Sequence, residues 1–181
     1  MNILYDSQIF MLQRYGGISR YFYELIRYLI PLESILLHVG FNNNRYGISS
    51  LKGYKRIWGH HIKDMKGKTR LCSYLNALHF KYFAWHEDAD IYHPTYYENY
   101  EIPGAKKVVT VYDMIHELFP QEFWGDRTAE KKAKILQDAD GIIAISENTK
   151  KDLIRLFGIP QEKIRVIYLA NSLSASLQDV S

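Results

Sequence analysis

Three short segments concentrate the side chains able to do chemistry. The first is Arg14-Tyr15-Gly16-Gly17-Ile18-Ser19-Arg20. Two adjacent glycines remove two side chains, so that backbone amides opening a helix can approach a phosphate or sugar oxygen. Arg14 and Arg20 could add charge-assisted hydrogen bonds to it. A plain turn would account for the glycine pair equally well, and the dinucleotide fingerprint G-x-G-x-x-G is absent. The second segment runs from Thr110 to Glu117 and holds Tyr112, Asp113 and His116. A carboxylate and an imidazole close together can bond sugar hydroxyls or steer a proton. The blander alternative is an Asx turn with a surface histidine. The third, Tyr92–Tyr100, combines His93 with aromatic and amide groups suited to a carbohydrate wall, or with tyrosines that simply pack on the core.

Each segment follows a short apolar run. Strands are expected at Ile3–Asp6, Ile35–Gly40, Ile91–His93, Lys107–Tyr112, Gly141–Ile145 and Arg165–Leu169. Helical patterns alternate with them, which is the signature of βαβ units around a parallel sheet. The chain is accordingly expected to be an α/β, Rossmann-like three-layer αβα domain with a mostly parallel sheet. In such sheets ligands collect beyond the carboxyl ends of the strands, where all three segments fall.

The first helix should span Ile18–Ile30, with Ile18, Tyr21, Phe22, Leu25 and Leu29 on its core face. A second is expected over Thr69–Glu87 with Leu71, Leu75, Leu78, Tyr82 and Trp85 buried, and a third over Arg127–Ala139 with Ala129, Ala133, Leu136 and Ala139 inward. Ser146 should cap a fourth that stops at Gly158 and Pro160. The stretch Asn42–Met65 looks irregular and functional or mobile, and the pattern dissolves after Leu169, so a domain over 1–170 and the start of a linker over 171–181 are expected.

With 181 residues, 47% of them apolar and 24% charged, the chain suits one sizeable globular domain. A single cysteine, Cys72, fits a reducing compartment and excludes an internal disulfide. The N-terminus lacks the basic flank and long apolar run of an export signal, so a cytoplasmic protein is expected. The net charge of +3 is uneven: Arg45 to Tyr82 holds nine Lys/Arg against Asp64, a local +8 that leaves −5 elsewhere. A solvated face, an anionic membrane surface or a phosphate-bearing ligand would each suit it. Nucleic acid is not expected, because none of its recognition motifs occurs. Asp88-Ala89-Asp90 and Asp138-Ala139-Asp140 precede strands and so lie at the wrong edge for a metal-bound nucleotide. His60-His61 lacks zinc-ligand spacing, and no metal is assigned.

Taken in order, Tyr15–Tyr21, Asp90–His93, Val108–Pro120, Ala139–Glu147 and Lys163–Tyr168 resemble the N-terminal domain of family 4 glycosyltransferases, including bacterial mannosyltransferases of surface-polysaccharide assembly. The resemblance implies one half of a GT-B fold: an acceptor-side domain whose C-terminal donor-binding domain, with its paired glutamates, is absent here. It implies retaining transfer of a hexose, with GDP-mannose as the family-flavoured donor, to a lipid-linked or oligosaccharide acceptor, without cofactor or tightly bound metal. A place on the inner membrane face, reached through Arg45–Tyr82, would follow from lipopolysaccharide assembly. By position Gly16 and Gly17 would face donor phosphates, and the segment around Asp113 the acceptor. Asp113 and His116 are the catalytic candidates; Arg14, Gly16, Gly17, Arg20, His93, Tyr112 and Ser146 are the substrate-binding ones. Family members often carry histidine where this chain has Tyr112, a role His116 could take over. The alternative is a free-standing, non-catalytic module binding a sugar, lipid phosphate or protein. A sugar-nucleotide epimerase has similar architecture, whereas a response-regulator receiver is excluded by Tyr92-His93-Pro94 where it needs a strand-ending aspartate.

Overall fold

The computed structural model describes residues 1–63 and 67–170; the linker expected over 171–181 lies outside them. Among the described residues seven parallel strands form one sheet in the order β3-β2-β1-β4-β5-β6-β7. They are β1 (Asn2–Tyr5), β2 (Ser34–Asn42), β3 (Lys55–His61), β4 (Ile91–Tyr92), β5 (Lys106–Val111), β6 (Gly141–Ala144) and β7 (Ile164–Val166). The helices are α1 (Gln8–Leu12), α2 (Gly17–Leu29), α3 (Thr69–His86), α4 (Ile115–Leu118), α5 (Thr128–Asp138) and α6 (Glu147–Phe157). This is the α/β, Rossmann-like layering read from the sequence. The strand order reverses between β1 and β4, which opens a crevice at their carboxyl ends.

Strand alternation decides which helix covers which face. Ile3, Tyr5, Ile35, Leu37 and Val39 meet Phe22 and Ile26 of α2. Leu4, Leu36 and Tyr92 point the other way and meet Phe80 and Ala84 of α3. Val109, Val111, Ile142 and Ala144 continue that second face beneath α5 and α6. The Ser146 cap is present, accepting from the Thr149 amide at 3.1 Å, and Gly158 closes α6 at φ 61°.

Three expectations are corrected. Asn42–Met65 is not irregular throughout, since β3 lies within it. As the last strand of the sheet β3 pairs, among the described residues, only with β2, and edge strands tolerate charge where central ones do not. Gly59 is needed there because a Cβ would come within 2.3 Å of the Gly40 amide nitrogen.

Helix α3 lies rotated by half a turn from its expected orientation. Cys72, Asn76, Phe80 and Ala84 are buried, while Leu71, Leu75, Leu78, Tyr82 and Trp85 are exposed. Asn76 explains the choice: β2 runs beyond Leu37, its last residue paired with β1. There the Asn76 side chain accepts from the Phe41 amide at 2.7 Å and donates to its carbonyl at 3.0 Å. In α5 the buried residues are Thr128, Lys132, Ile135 and Leu136, with Ala139 just beyond, whereas Ala129 and Ala133 are only half-buried.

Among the described residues no helix is long and apolar enough to cross a membrane.

Candidate functional site

All the sequence-predicted site residues follow the carboxyl ends of strands, but they play different parts. Gly16 caps α2 in extended backbone, and its missing side chain leaves room for Gln13, whose Oε1 and Cδ would lie 2.2 and 2.4 Å from a Cβ. Gln13 Oε1 in turn accepts from the Ser19 amide at 3.0 Å, holding a first-turn donor that a ligand would otherwise meet. Gly17 is the open one: a Cβ there would have nothing within 4 Å. Arg14 is exposed, with its carbonyl accepting from the Arg45 amide at 3.0 Å, and Arg20 lies half-buried on the first turn of α2.

A run of contacts joins this helix start to the ends of β5 and β6. The rings of Tyr21 and Tyr112 meet edge to face at 5.6 Å. The Thr149 hydroxyl reaches the Tyr112 carbonyl at 3.5 Å and lies 2.9 Å from the Ser146 hydroxyl. Tyr112 keeps a buried hydroxyl without a hydrogen-bond partner among the described residues, and burial pushes its pKa well up. Ser146 is engaged as a helix cap.

Asp113 does form the Asx turn, accepting from the Ile115 amide at 3.2 Å. Its side chain is half-buried. His116 is no surface histidine: its side chain is 15% exposed, rests on Phe123 at 4.2 Å and places Nε2 3.7 Å from Asp126. Its Nδ1 is buried and unpartnered among the described residues. The loop is anchored from below by Lys132, whose Nζ donates to the Asp113 carbonyl and to Glu117, each at 2.9 Å.

His93 is buried and does not reach the surface. Its ring packs between Tyr5 and Phe22 at 5.4 and 5.1 Å, and Nε2 lies 2.9 Å from the Thr110 hydroxyl. Burial lowers its pKa to about 4, so the imidazole is neutral at pH 7.

A pocket of about 280 Å³ opens where the strand order reverses, between the ends of β1 and β4. Acidic Glu98 and Asp126, basic Arg127 and the rings of Tyr96 and Tyr100 line it. Behind it stands Asp6, which sequence reasoning passed over as a strand end. Its Oδ1 accepts from the Gln8 amide at 3.1 Å and from the Thr95 amide and hydroxyl at 3.2 and 2.5 Å. Its Oδ2 accepts from Tyr92 at 2.6 Å and Gln8 Nε2 at 2.5 Å. Burial holds the Asp6 carboxyl above the usual range against the pull of the Thr95 and Tyr92 hydroxyls. The available signal was an aspartate ending an apolar strand, matched by a threonine just past another. His116 touches this pocket only through Asp126, and Gly17 stands apart from it along the same edge. The two D-x-D pairs lie at the opposite edge, where Asp90 and Asp140 bind the amides of Asn2 and Lys107 at 2.7 and 2.9 Å.

Among solved structures the chain is similar to the apo form of a lipopolysaccharide outer core galactosyltransferase, WaaB, with a TM-score of 0.57 and 14% identity over 96% of this chain and 47% of that one. It is also similar to a glycosyltransferase from Rickettsia africae ESF-5, with a TM-score of 0.51 and 18% identity over 92% of this chain and 42% of that one. Both are likenesses of fold, that of one half of a GT-B enzyme, and the chain spans about half the length of these structures. No curated protein matches by sequence. The model of Glycosyltransferase Family 4 matches residues 15–170, nearly the whole chain, and the chain belongs to that family.

Proposed function

We propose that the chain is the acceptor-side half of a retaining glycosyltransferase that moves a hexose from a nucleotide sugar to a hydroxyl of a lipid-linked or saccharide acceptor. The observation that carries this is the pocket at the β1–β4 reversal, where carboxylates, a guanidinium and tyrosine rings converge, as a sugar requires. Along the same edge the open Gly17 and the start of α2 receive the donor phosphates, with Arg14 and Arg20 beside them. Asp113 and His116 face the reacting hydroxyl, and Tyr112 and Ser146 border it.

A second, nucleotide-binding domain completes the cleft. An apolar rim at the carboxyl edge supports it: Ile115 and Phe119 are exposed, and Trp124 is 96% exposed. Mannose, in the form of GDP-mannose, is the first donor to try, and galactose the second, after the galactosyltransferase WaaB. Lipopolysaccharide or related polysaccharide assembly at the cytoplasmic side of the inner membrane is the setting proposed, with the basic Arg45–Tyr82 segment toward the membrane. No resident metal or cofactor takes part in the proposed chemistry.

The test is transfer from a panel of nucleotide sugars to a host lipid extract, with the 181-residue chain run beside the product of the complete reading frame. Transfer by the longer product supports the proposal and names the donor. Binding of sugar or lipid phosphate without transfer by either product would replace it with the non-catalytic module.

A further inference from the structure

Helix α3 carries the largest surface that the catalytic reading leaves unused. Leu71, Tyr74, Leu75, Leu78, Tyr82 and Trp85 are all exposed, from 38% at Leu75 to 70% at Trp85. At about 100° per residue these six side chains fall within an arc of roughly 100°, directly opposite Cys72, Asn76, Phe80 and Ala84. The same spacing sets Arg70 and Lys81 together along one margin of that arc and His79 and His86 along the other. From Lys66 to His86 the sequence holds Lys66, Lys68, Arg70 and Lys81 and no acidic residue. Glu87, just past the helix, is paired with Lys55 at 2.6 Å.

We propose that α3 docks, exposed stripe downward, on an anionic lipid bilayer. The proposal rests on the lipid-linked acceptor above and gives it a surface. A contiguous apolar patch of this kind marks an interaction site. An interfacial helix immerses its apolar face by ~5–10 Å while its cations meet the headgroups. Tyr74, Tyr82 and Trp85 each pair an apolar ring with a polar tip, the chemistry favoured at headgroup level.

Charge selects the occupant. A second copy meeting stripe to stripe would bring two acid-free, cationic helices together, whereas anionic headgroups neutralise them. A domain seated on the carboxyl edge would meet the Trp124 rim, while the stripe faces away from the sheet. The inward face of the same helix lends Ser73, Asn76, Ala77 and Phe80 to the pocket wall. Docking therefore holds the pocket one helix diameter, ~10 Å, from the headgroups, within reach of a glycolipid's sugar.

Flotation of the chain with phosphatidylglycerol–phosphatidylcholine vesicles, with neither donor nor acceptor present, tests this. The chain should float with these vesicles and not with phosphatidylcholine alone. Combined Leu78→Ser, Tyr82→Ser and Trp85→Ser substitutions should weaken binding at least about tenfold. Arg70→Glu with Lys81→Glu should do the same, each variant keeping its melting temperature. Quenching by acyl-brominated lipid should persist in Trp124→Phe and disappear in Trp85→Phe. Absence of flotation, or equal flotation of the stripe variant, overturns the proposal. So does a concentration-dependent dimer that the stripe substitutions abolish, which would assign the stripe to a second copy. No sugar moves in this assay, so its failure leaves the transferase proposal standing, and intact flotation without transfer overturns only the latter.

Discussion

Lys132 and Glu117 form an ion pair at 2.9 Å with their side chains 1% and 9% exposed, directly beneath the Asp113 loop. Removing one partner strands the other charge in the interior. Lys132→Met should cost about 3–5 kcal/mol of stability, and adding Glu117→Gln should recover much of it. Urea unfolding of both single variants and the double variant measures the coupling. If the singles lose no more than an exposed pair would, Lys132 does not anchor the Asp113 loop.

Gly17→Ala should separate folding from binding. The added methyl group meets nothing within 4 Å, and alanine favours helix, so stability should hold or rise by about 0.4–1 kcal/mol. Under the proposed function, transfer by the two-domain enzyme should nevertheless fall about tenfold or more, because the methyl group would occupy the proposed approach of the donor phosphates. Melting curves beside kcat/KM decide it, and unchanged transfer would remove Gly17 from the site.

Asp6→Asn preserves size but turns an amide toward donors from Gln8, Tyr92 and Thr95. The mismatch should cost about 1–3 kcal/mol and loosen the pocket wall. The acceptor KM should rise while the donor KM stays put, since Asp6 stands behind the pocket rather than near α2. Steady-state kinetics with each substrate varied in turn would show the split.

Acid should destabilise the fold through two buried imidazoles. Burial lowers His93 to about 4 and His38 to about 3, with His79 adding to the shift of His38, against 6.5 for a free histidine. Below pH 6.5 the unfolded chain takes up protons that the native chain refuses. Stability should thus be full above pH 6.5 and fall as pH drops, through about 4 for His93 and about 3 for His38. The His93 share is on the order of 3 kcal/mol. Urea midpoints between pH 7.5 and 4.5 measure the slope, and His93→Gln should flatten it.

The parallel sheet was legible in the sequence because its central strands are continuous apolar runs buried on both faces. The Ser146 cap and the Gly158 stop were legible because their chemistry is local. What escaped depends on distant partners. Strand β3 is basic and holds a glycine, and only the neighbouring Gly40 explains it. Helix α3 offered two apolar stripes, and Asn76, drawn to the Phe41 backbone, selected the less obvious one. Lys132 reads as a solvent residue until Glu117 is set beneath it. Asp6 and His93 exchanged roles for the same reason. Each ends an apolar strand, but only the carboxylate is met by five donors, while the imidazole is enclosed by Tyr5 and Phe22.

The hydrogen bond from the Ser19 amide to Gln13 gives the start of α2 a tenant of its own. An oxyanion binding there, as proposed, would exchange with a side-chain carbonyl instead of filling an empty seat, so association would be a competition whose terms residue 13 sets. Gln13→Ala would tighten the grip on phosphate and leave the helix end frayed between visits. Gln13→Glu would put a permanent negative charge in the place of the guest.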